Sequence, residues 1–507
     1  MTFLHKLLSP LPLILLLLAD VANSAYIPRR QDATDVPRPA IAVKLATTSS
    51  LRASMSGAEL VEALVRKSQP NSGLIAKRDN NSKKSAISVT PLFDSLAPEV
   101  IAGLVQRAAE LDPTYEPVDF GAWYQVRLEN TKAAATSNEG RDPEIAELLR
   151  SLSQNKEVAS CQSLVGAAVP APSVAYNDDP RFSEQGYLGP AGAGINAQYA
   201  WGFPGGDGAG TTIIDVERGW KLTHEDLEAA NITLLGSGYN ENDRYGANFK
   251  HGTAVLGEML MVDNKLGGVG IVPSARGHVV GTMHNVDGAP RELQAVAILE
   301  AASFLQRGDG MTVEMQVPDA NYDLWPVEIN DAEFDAIRTA TAAGILVFEP
   351  AANGAMDMDL PVVREGDASG SGGRALLNRK SPDFRDSGAI MVGASTSTLP
   401  RTRLVQSNYG SRVDVHAWGQ NILTSTVDDS QQDIYANFSG TSGATPIVAG
   451  AALSIQGMLA AKGKAKLRPK EMRKLIAKGG SSTADPSKDR IGVQPDLRAL
   501  IDGGYLK

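Results

Sequence analysis

The chain has 507 residues, 43% of them hydrophobic and 21% charged, and carries a net charge of -10. That length allows two to four domains with a large core, and the composition excludes a fibre or a largely disordered chain. An acidic balance argues against a nucleic-acid binder, and a single cysteine, Cys161, excludes an intrachain disulfide.

In MTFLHKLLSPLPLILLLLADVANSA, residues 1–25, Lys6 precedes an apolar run and the small residues Ala22, Ser24 and Ala25 follow it. This is the pattern of a secretory signal peptide. The run is too short to span a membrane and is broken by Pro10 and Pro12. A secreted, extracellular protein with no membrane partner and no nucleic-acid partner is expected. Residues 26–90 carry 11 Lys/Arg against 5 Asp/Glu. They read as a basic, loosely structured leader with one helical stretch at 56–67. Arg29-Arg30 and Lys77-Arg78 are candidate processing pairs.

Residues 91–165 are more ordered. VIAGLVQRAAEL and PEIAELLRSLSQ show helical spacing, while WYQVRL and KEVASCQSL read as strands. Together they predict a small α+β domain, in which Cys161 is a packed apolar residue rather than a reactive thiol. A Pro- and Ala-rich linker follows over 166–184. From 185 to 507, β-rich runs (TTIIDV, GHVVGTM, MTVEMQV, GILVFEP, AIMVGAS, RVDVHAWG) alternate with helical stretches. That alternation predicts an α/β fold with a doubly wound, mostly parallel sheet and helices on both faces. Ligands bind such sheets at the carboxyl ends of the strands.

Three motifs carry chemistry. TTIID ends in Asp215, FKHGTAVLGEML places His251 at a helix start, and FSGTSGATPIVAGAAL surrounds Ser442 with small residues where a buried helix begins. An α/β-hydrolase needs its histidine after the nucleophile, yet all six histidines precede Ser442. The order Asp, His, Ser is that of subtilisin. A serine at a helix N-terminus places its own N–H and the helix dipole near developing negative charge. Read singly, Thr441 or Ser442 is equally a helix cap, Asp215 a strand-end cap and His251 a satisfied helix-start histidine.

Taken together, the motifs resemble those of the subtilisin-like serine proteases. GTSGATPIVAG is similar to their serine motif, HGTAVLGEMLMVDNKLGGVGIVPSA to their histidine helix, and GILVFEPAANGAMD to the segment bearing their oxyanion asparagine. The resemblance implies a serine-type endopeptidase with Ser442 as nucleophile, His251 as base and Asp215 as the acid behind it. It also implies Asn353 in the oxyanion hole and Gln316 on a strand lining the substrate cleft. Protein or peptide substrates follow from the same resemblance, and the 91–165 domain becomes a propeptide acting as inhibitor and folding aid. The triad requires no cofactor. A structural calcium is common in the family, and the loop 263–270 occupies the place of one such site.

The chain also departs from the family. Asp-Thr-Gly is replaced by Asp215-Val216-Glu217-Arg218-Gly219, a second motif histidine by Ala254, the glycine before Asn353 by Ala352, and a histidine after the serine motif by Ile447. Two rivals stand beside the protease: a catalytically silent binding protein on the same fold, and a sedolisin-like acid peptidase using Glu and Asp in place of His. Under the protease reading the rate falls as His251 protonates, near the ordinary imidazole range of about 6–7. His224, His278, His284 and His416 show no metal-ligand spacing.

Overall fold

Two sheets position the site. The computed structural model describes residues 40–46, 56–68, 87–128, 143–164, 180–190, 193–241, 247–364, 367 and 372–505. These fall within one unit, Val36–Lys507. The expected signal peptide, both dibasic pairs and most of the linker lie outside the described residues.

The first sheet is antiparallel and runs in the order β2-β3-β1-β4. Its elements are β1 (Ala40–Leu45), α1 (Gly57–Ser68), β2 (Ile87–Pro91), α2 (Pro98–Leu111), β3 (Trp123–Leu128), α3 (Pro143–Ser153) and β4 (Val158–Ser163). This corrects the expected boundary at residue 91. The stretch 40–90, read as loose leader, supplies the inner strand β1, most of the edge strand β2 and one helix. AIAVKL is too short to register as a strand within a basic, Ser/Thr-rich segment, and only long-range pairing makes it one.

Strand β1 is buried on both faces because each face meets a different layer. Ile41, Val43 and Leu45 pack with Leu60, Val61 and Leu64 of α1 and with Leu148 and Leu152 of α3. Ala42 belongs instead to the core of the larger domain. There the small sheet and α2 dock on α7 (Asp331–Ala342), and α2 also touches α6 (Gln294–Phe304). Lys44 Nζ pairs with Asp335 at 2.6 Å and Gln162 donates to Glu333 at 2.5 Å. Arg338 reaches back to Asp112 at 2.7 Å, and the Tyr115 and Thr339 hydroxyls meet at 2.9 Å. Cys161 is half-buried on β4, with its thiol donating to the Leu149 carbonyl.

In the larger domain a short helix, α4 (Ala197–Ala200), precedes β5 (Thr212–Glu217), β6 (Thr233–Leu235), α5 (Ala247–Leu260) and β7 (Arg276–Gly281). A hairpin of β8 (Met283–Val286) and β9 (Ala289–Glu292) leads to α6 (Gln294–Phe304) and β10 (Gly310–Val313). A second hairpin, β11 (Gln316–Pro318) with β12 (Leu324–Pro326), precedes α7, β13 (Leu346–Pro350), β14 (Ile390–Ser395) and β15 (Val415–Trp418). The hairpin β16 (Ile422–Val427) and β17 (Asp433–Phe438) then feeds α8 (Thr441–Ala461), and β18 (Gly480–Ser482) and β19 (Val493–Pro495) close the sheet.

The nine strands run β18-β19-β15-β14-β13-β10-β5-β7-β6, parallel except for β18. Chain order reverses between β5 and β10, which makes their carboxyl ends the crevice of the fold. Helix α8 is apolar all round and buried to Leu459, as a central helix must be. By length and composition it is the one described helix that could cross a membrane, but its apolar surface is spent on the sheet.

Candidate active site

The crevice holds the acid pair of β5. Alternation in a strand sends Asp215 and Glu217 to the same face, about 6.6 Å apart along the chain. Both are fully buried. Helix α5 crosses above them and brings His251 against Glu217, with Nδ1 at 2.8 Å from Oε2. Asp215 does not reach the imidazole. Its Oδ1 accepts from the Thr312 hydroxyl at 2.6 Å and its Oδ2 from the Trp220 indole N–H at 2.7 Å. The expected assignment of Asp215 behind His251 is therefore corrected to Glu217.

The physical reason is reach along the strand, since His251 sits over the carboxyl end of β5 and Glu217 is the last residue of that strand. A signal for it was present. Glu217-Arg218-Gly219 keeps the acid-x-glycine spacing of the family's Asp-Thr-Gly, which Asp215 lacks. The inserted cation is kept out of the site, because Arg218 pairs with Glu292 of β9 at 2.7 Å. Close approach of α5 depends on Gly252. A Cβ there would lie 2.3 Å from the Gly219 carbonyl and 2.5 Å from the Trp220 ring, closer than any packing tolerates.

Ser442 is the second residue of α8 and is 3% exposed. Its N–H lies in the first helical turn, where no intrahelical acceptor exists. Gly440 makes the turn with φ +88°, the left-handed region that glycine tolerates. Pro446 falls in the second turn rather than the first, so its missing N–H removes the helical donor to the Ser442 carbonyl. Phe438 lies between His251 and the start of α8. Its ring meets His251 edge-on at 5.2 Å and would stand 3.3 Å from a Cβ on Gly443.

Asn353, expected to hold an oxyanion, lies against the first turn of α8. Asn353 Oδ1 accepts from the Thr441 N–H at 3.0 Å, and its Nδ2 amide is buried and without a partner among the described residues. A buried donor without an acceptor is costly unless a ligand supplies one. Gln316, expected along the cleft, does a different job. It is buried, and its Oε1 accepts the Asn353 backbone N–H at 3.0 Å, which fixes the loop that carries Asn353. Ala352 holds φ +74° where glycine is usual in the family, at a cost of roughly 1–2 kcal/mol. Asn353→Ala is expected to lower kcat by about 10²–10³ with KM nearly unchanged, as for other oxyanion donors. Steady-state kinetics on a peptide substrate measure both.

His251 Nε2 makes no hydrogen bond among the described residues. Burial pushes His251 down to about 3. The acid limb expected near 6–7 therefore moves well below that range. Burial pushes Asp215 up to about 6. Burial also drives Glu217, Glu258 and Glu314 well above the carboxylate range, and for these three a neighbouring carboxylate adds to the push. Outside the site Asp226 and Glu333 are raised to about 7 by burial.

These raised carboxyls stabilise the fold while protonated, and that stability is lost as pH rises through their folded values. The buried neutral His251 and His416 act in the opposite sense, but only below the ordinary histidine value of about 6.5. Above that pH the carboxyls alone decide. Thermal melts at fixed ionic strength are expected to show Tm falling from about pH 6.5 to 9, with a shallower fall for Glu258→Gln. A Tm that rises over that window would contradict the assignment.

The loop 263–270 does not fit a calcium ion. Its Gly268 and Val269 N–H groups point at Asp226 Oδ2 (3.0 Å) and Gln185 Oε1 (2.8 Å), so amides occupy the oxygens that a hard cation would need. Among the described residues no three His, Cys, Asp or Glu converge as a metal site.

The subtilase family profile matches residues 208–491, more than half of the chain. "Extracellular protease" of Xanthomonas campestris is 28% identical over 316 residues, covering 55% of this chain and 49% of that protein. Subtilisin E of Bacillus subtilis is 27% identical, covering 56% and 65% respectively. This chain thus spans half to two-thirds of those relatives. Among solved structures, fervidolysin of Fervidobacterium pennivorans, described as a keratinolytic enzyme related to subtilisin, has a TM-score of 0.54 at 14% identity. It covers 94% of this chain, which covers 62% of it. The epidermin leader peptide processing serine protease of Staphylococcus aureus has a TM-score of 0.50 at 17% identity, covering 92% and 99%. Both speak to the fold alone. From the family profile, the chain belongs to the subtilase family of subtilisin-like serine proteases.

Proposed function

We propose that this chain is a secreted serine endopeptidase, made as a zymogen, that hydrolyses peptide bonds through Ser442, His251 and Glu217. The observation that carries the reading is the buried 2.8 Å bond from His251 to Glu217 at the crevice where α8 presents Ser442. When Glu217 is ionised, its carboxylate accepts the Nδ1–H and fixes the tautomer in which Nε2 is free to take a proton. Substrate binding then has to bring the serine hydroxyl to that free nitrogen. Oγ attacks the peptide carbonyl carbon as its proton passes to Nε2. The oxyanion is held by Asn353 Nδ2 and the Ser442 N–H.

Collapse of the tetrahedral adduct breaks the C–N bond, and the amine leaves with the proton from Nε2. Water, deprotonated by the same nitrogen, then releases the acid from the acyl-enzyme. Secretion rests on the signal-like segment at 1–25 and on the name of the Xanthomonas relative. The zymogen reading rests on the small sheet docked along α7. Protein or peptide substrates follow, with no nucleic-acid or membrane partner. The silent-binder rival loses its motive once Glu217 fills the acid position, and His251 in the site weighs against the sedolisin-like one.

The test is a fluorophosphonate probe on the secreted protein. Stoichiometric labelling at one serine, with hydrolysis of casein-derived peptides, supports the reading. A folded chain that neither labels nor cleaves returns it to a binding role.

A further inference from the structure

The turn that carries Asn353 holds a conformation its own residues resist. Ala352 and Ala355 both lie in the left-handed region, at φ +74° and +58°. Left-handed backbone at alanine persists only where the surroundings over-determine it. Here they do so through successive N–H groups. That of Asn353 goes to Gln316 Oε1 at 3.0 Å, and that of Ala355 to the Gln406 carbonyl at 2.8 Å. Those of Gly354 and Met356 meet on a single atom, Asn408 Oδ1, at 3.1 and 2.8 Å.

Asn408 is fully buried, and each of its polar groups is engaged. Its backbone N–H donates to the Ala352 carbonyl at 3.0 Å and its Nδ2 to the Leu324 carbonyl of β12 at 2.8 Å. Strand β12 pairs with β11, which carries Gln316, so the hairpin and the Asn408 side chain grip the turn together. The fit is close. A Cβ on Gly354 would lie 2.3 Å from the Leu324 carbonyl and 3.1 Å from Asn408 Oδ1. The segment bearing Asn408 is itself fixed, since Arg403 Nη1 donates to the carbonyls of Leu404, Val405 and Ser407 at 3.1, 3.1 and 2.7 Å.

We propose that Asn408 is the positioning residue of the oxyanion amide. It acts through Asn353 and touches no reacting atom. With the N–H groups from Asn353 to Met356 all spent on these acceptors, Asn353 Nδ2 is the donor that this stretch keeps for a ligand. The inference rests on the peptidase reading above. Removing the Asn408 amide strands two buried N–H groups and one carbonyl at once. The two alanines then relax toward ordinary φ, and the Asn353 amide moves with the backbone between them. A displacement of about 1 Å there costs about 10² in rate. The donor serves the oxyanion of the transition state, so substrate binding is spared.

The experiment is steady-state kinetics on one peptide substrate, with melting curves to check folding. The secreted full chain is compared with Asn408→Ala, Asn408→Asp, Asn353→Ala and the double variant Asn353→Ala/Asn408→Ala. Asn408→Ala is expected to lower kcat about 10²-fold with KM nearly unchanged. Asn408→Asp keeps an oxygen for both N–H groups and should recover most of that loss. The double variant should turn over as slowly as Asn353→Ala and no slower, because Asn408 acts only through the amide already removed. If Asn408→Ala fails to fold, Asn408→Ser takes its place. Its hydroxyl ends one bond short of Oδ1, and a kcat loss of the same kind, again absent beside Asn353→Ala, is expected.

A folded Asn408→Ala with wild-type kcat would overturn the proposal and leave the Thr441 N–H sufficient to set the amide. So would losses that multiply in the double variant, the mark of a general structural role, or an Asn408→Asp as slow as Asn408→Ala. Wild type that cleaves no peptide would remove the peptidase reading and this proposal with it, an outcome distinct from the others.

Discussion

Glu217→Gln is expected to lower kcat/KM by about 10⁴, while Asp215→Asn stays within about tenfold of wild type. A triad whose acid becomes an amide keeps its geometry but offers an N–H where the imidazole needs an acceptor. The tautomer then reverses and a loss of about 10⁴ results. Here that acceptor is Glu217 Oε2, at 2.8 Å from His251 Nδ1. Asp215 faces Thr312 and Trp220 instead. An asparagine in its place still accepts from the indole, and the threonine hydroxyl can rotate to accept from the new amide. Its cost is therefore one of stability and not of turnover. Kinetics on a single peptide substrate, with melting curves for both variants, separate the two. The reverse ranking would restore Asp215 to the relay.

Ser442→Ala and His251→Ala are each expected to remove on the order of 10⁶ in kcat, the loss known when a subtilisin triad is dismantled. The double variant should be no worse than either single one, because nucleophile and base act as a unit. What survives is catalysis by the oxyanion donors and by binding, on the order of 10³–10⁴ over water. Both variants should fold, since Ser442 differs from alanine by one hydroxyl and His251 is held by a single polar bond from Nδ1. Residual rates that multiply in the double variant would show that the two residues act independently, and the relay would be lost as a description.

Much of the main domain was legible in the chain. Each apolar run from TTIIDV to RVDVHAWG became a strand or the core of one, and each periodic stretch became a helix, because an apolar period of two or of 3.6 is a local property. The hairpins β8–β9, β11–β12 and β16–β17 were not read, nor were β1 and β2 of the small sheet, although α1 was read at 56–67. Their strands are short, and pairing rather than composition holds them.

The sequence by itself determined the fold class, the serine at a helix start, the histidine on its own helix and the asparagine between them. Those signals rest on local backbone preferences and on small residues that only a close approach requires. The tertiary structure alone decided which acid serves His251. Two acids two residues apart on one strand share a face, so alternation cannot separate them. What separates them is about 6.6 Å of reach toward the end of the strand over which α5 comes to rest.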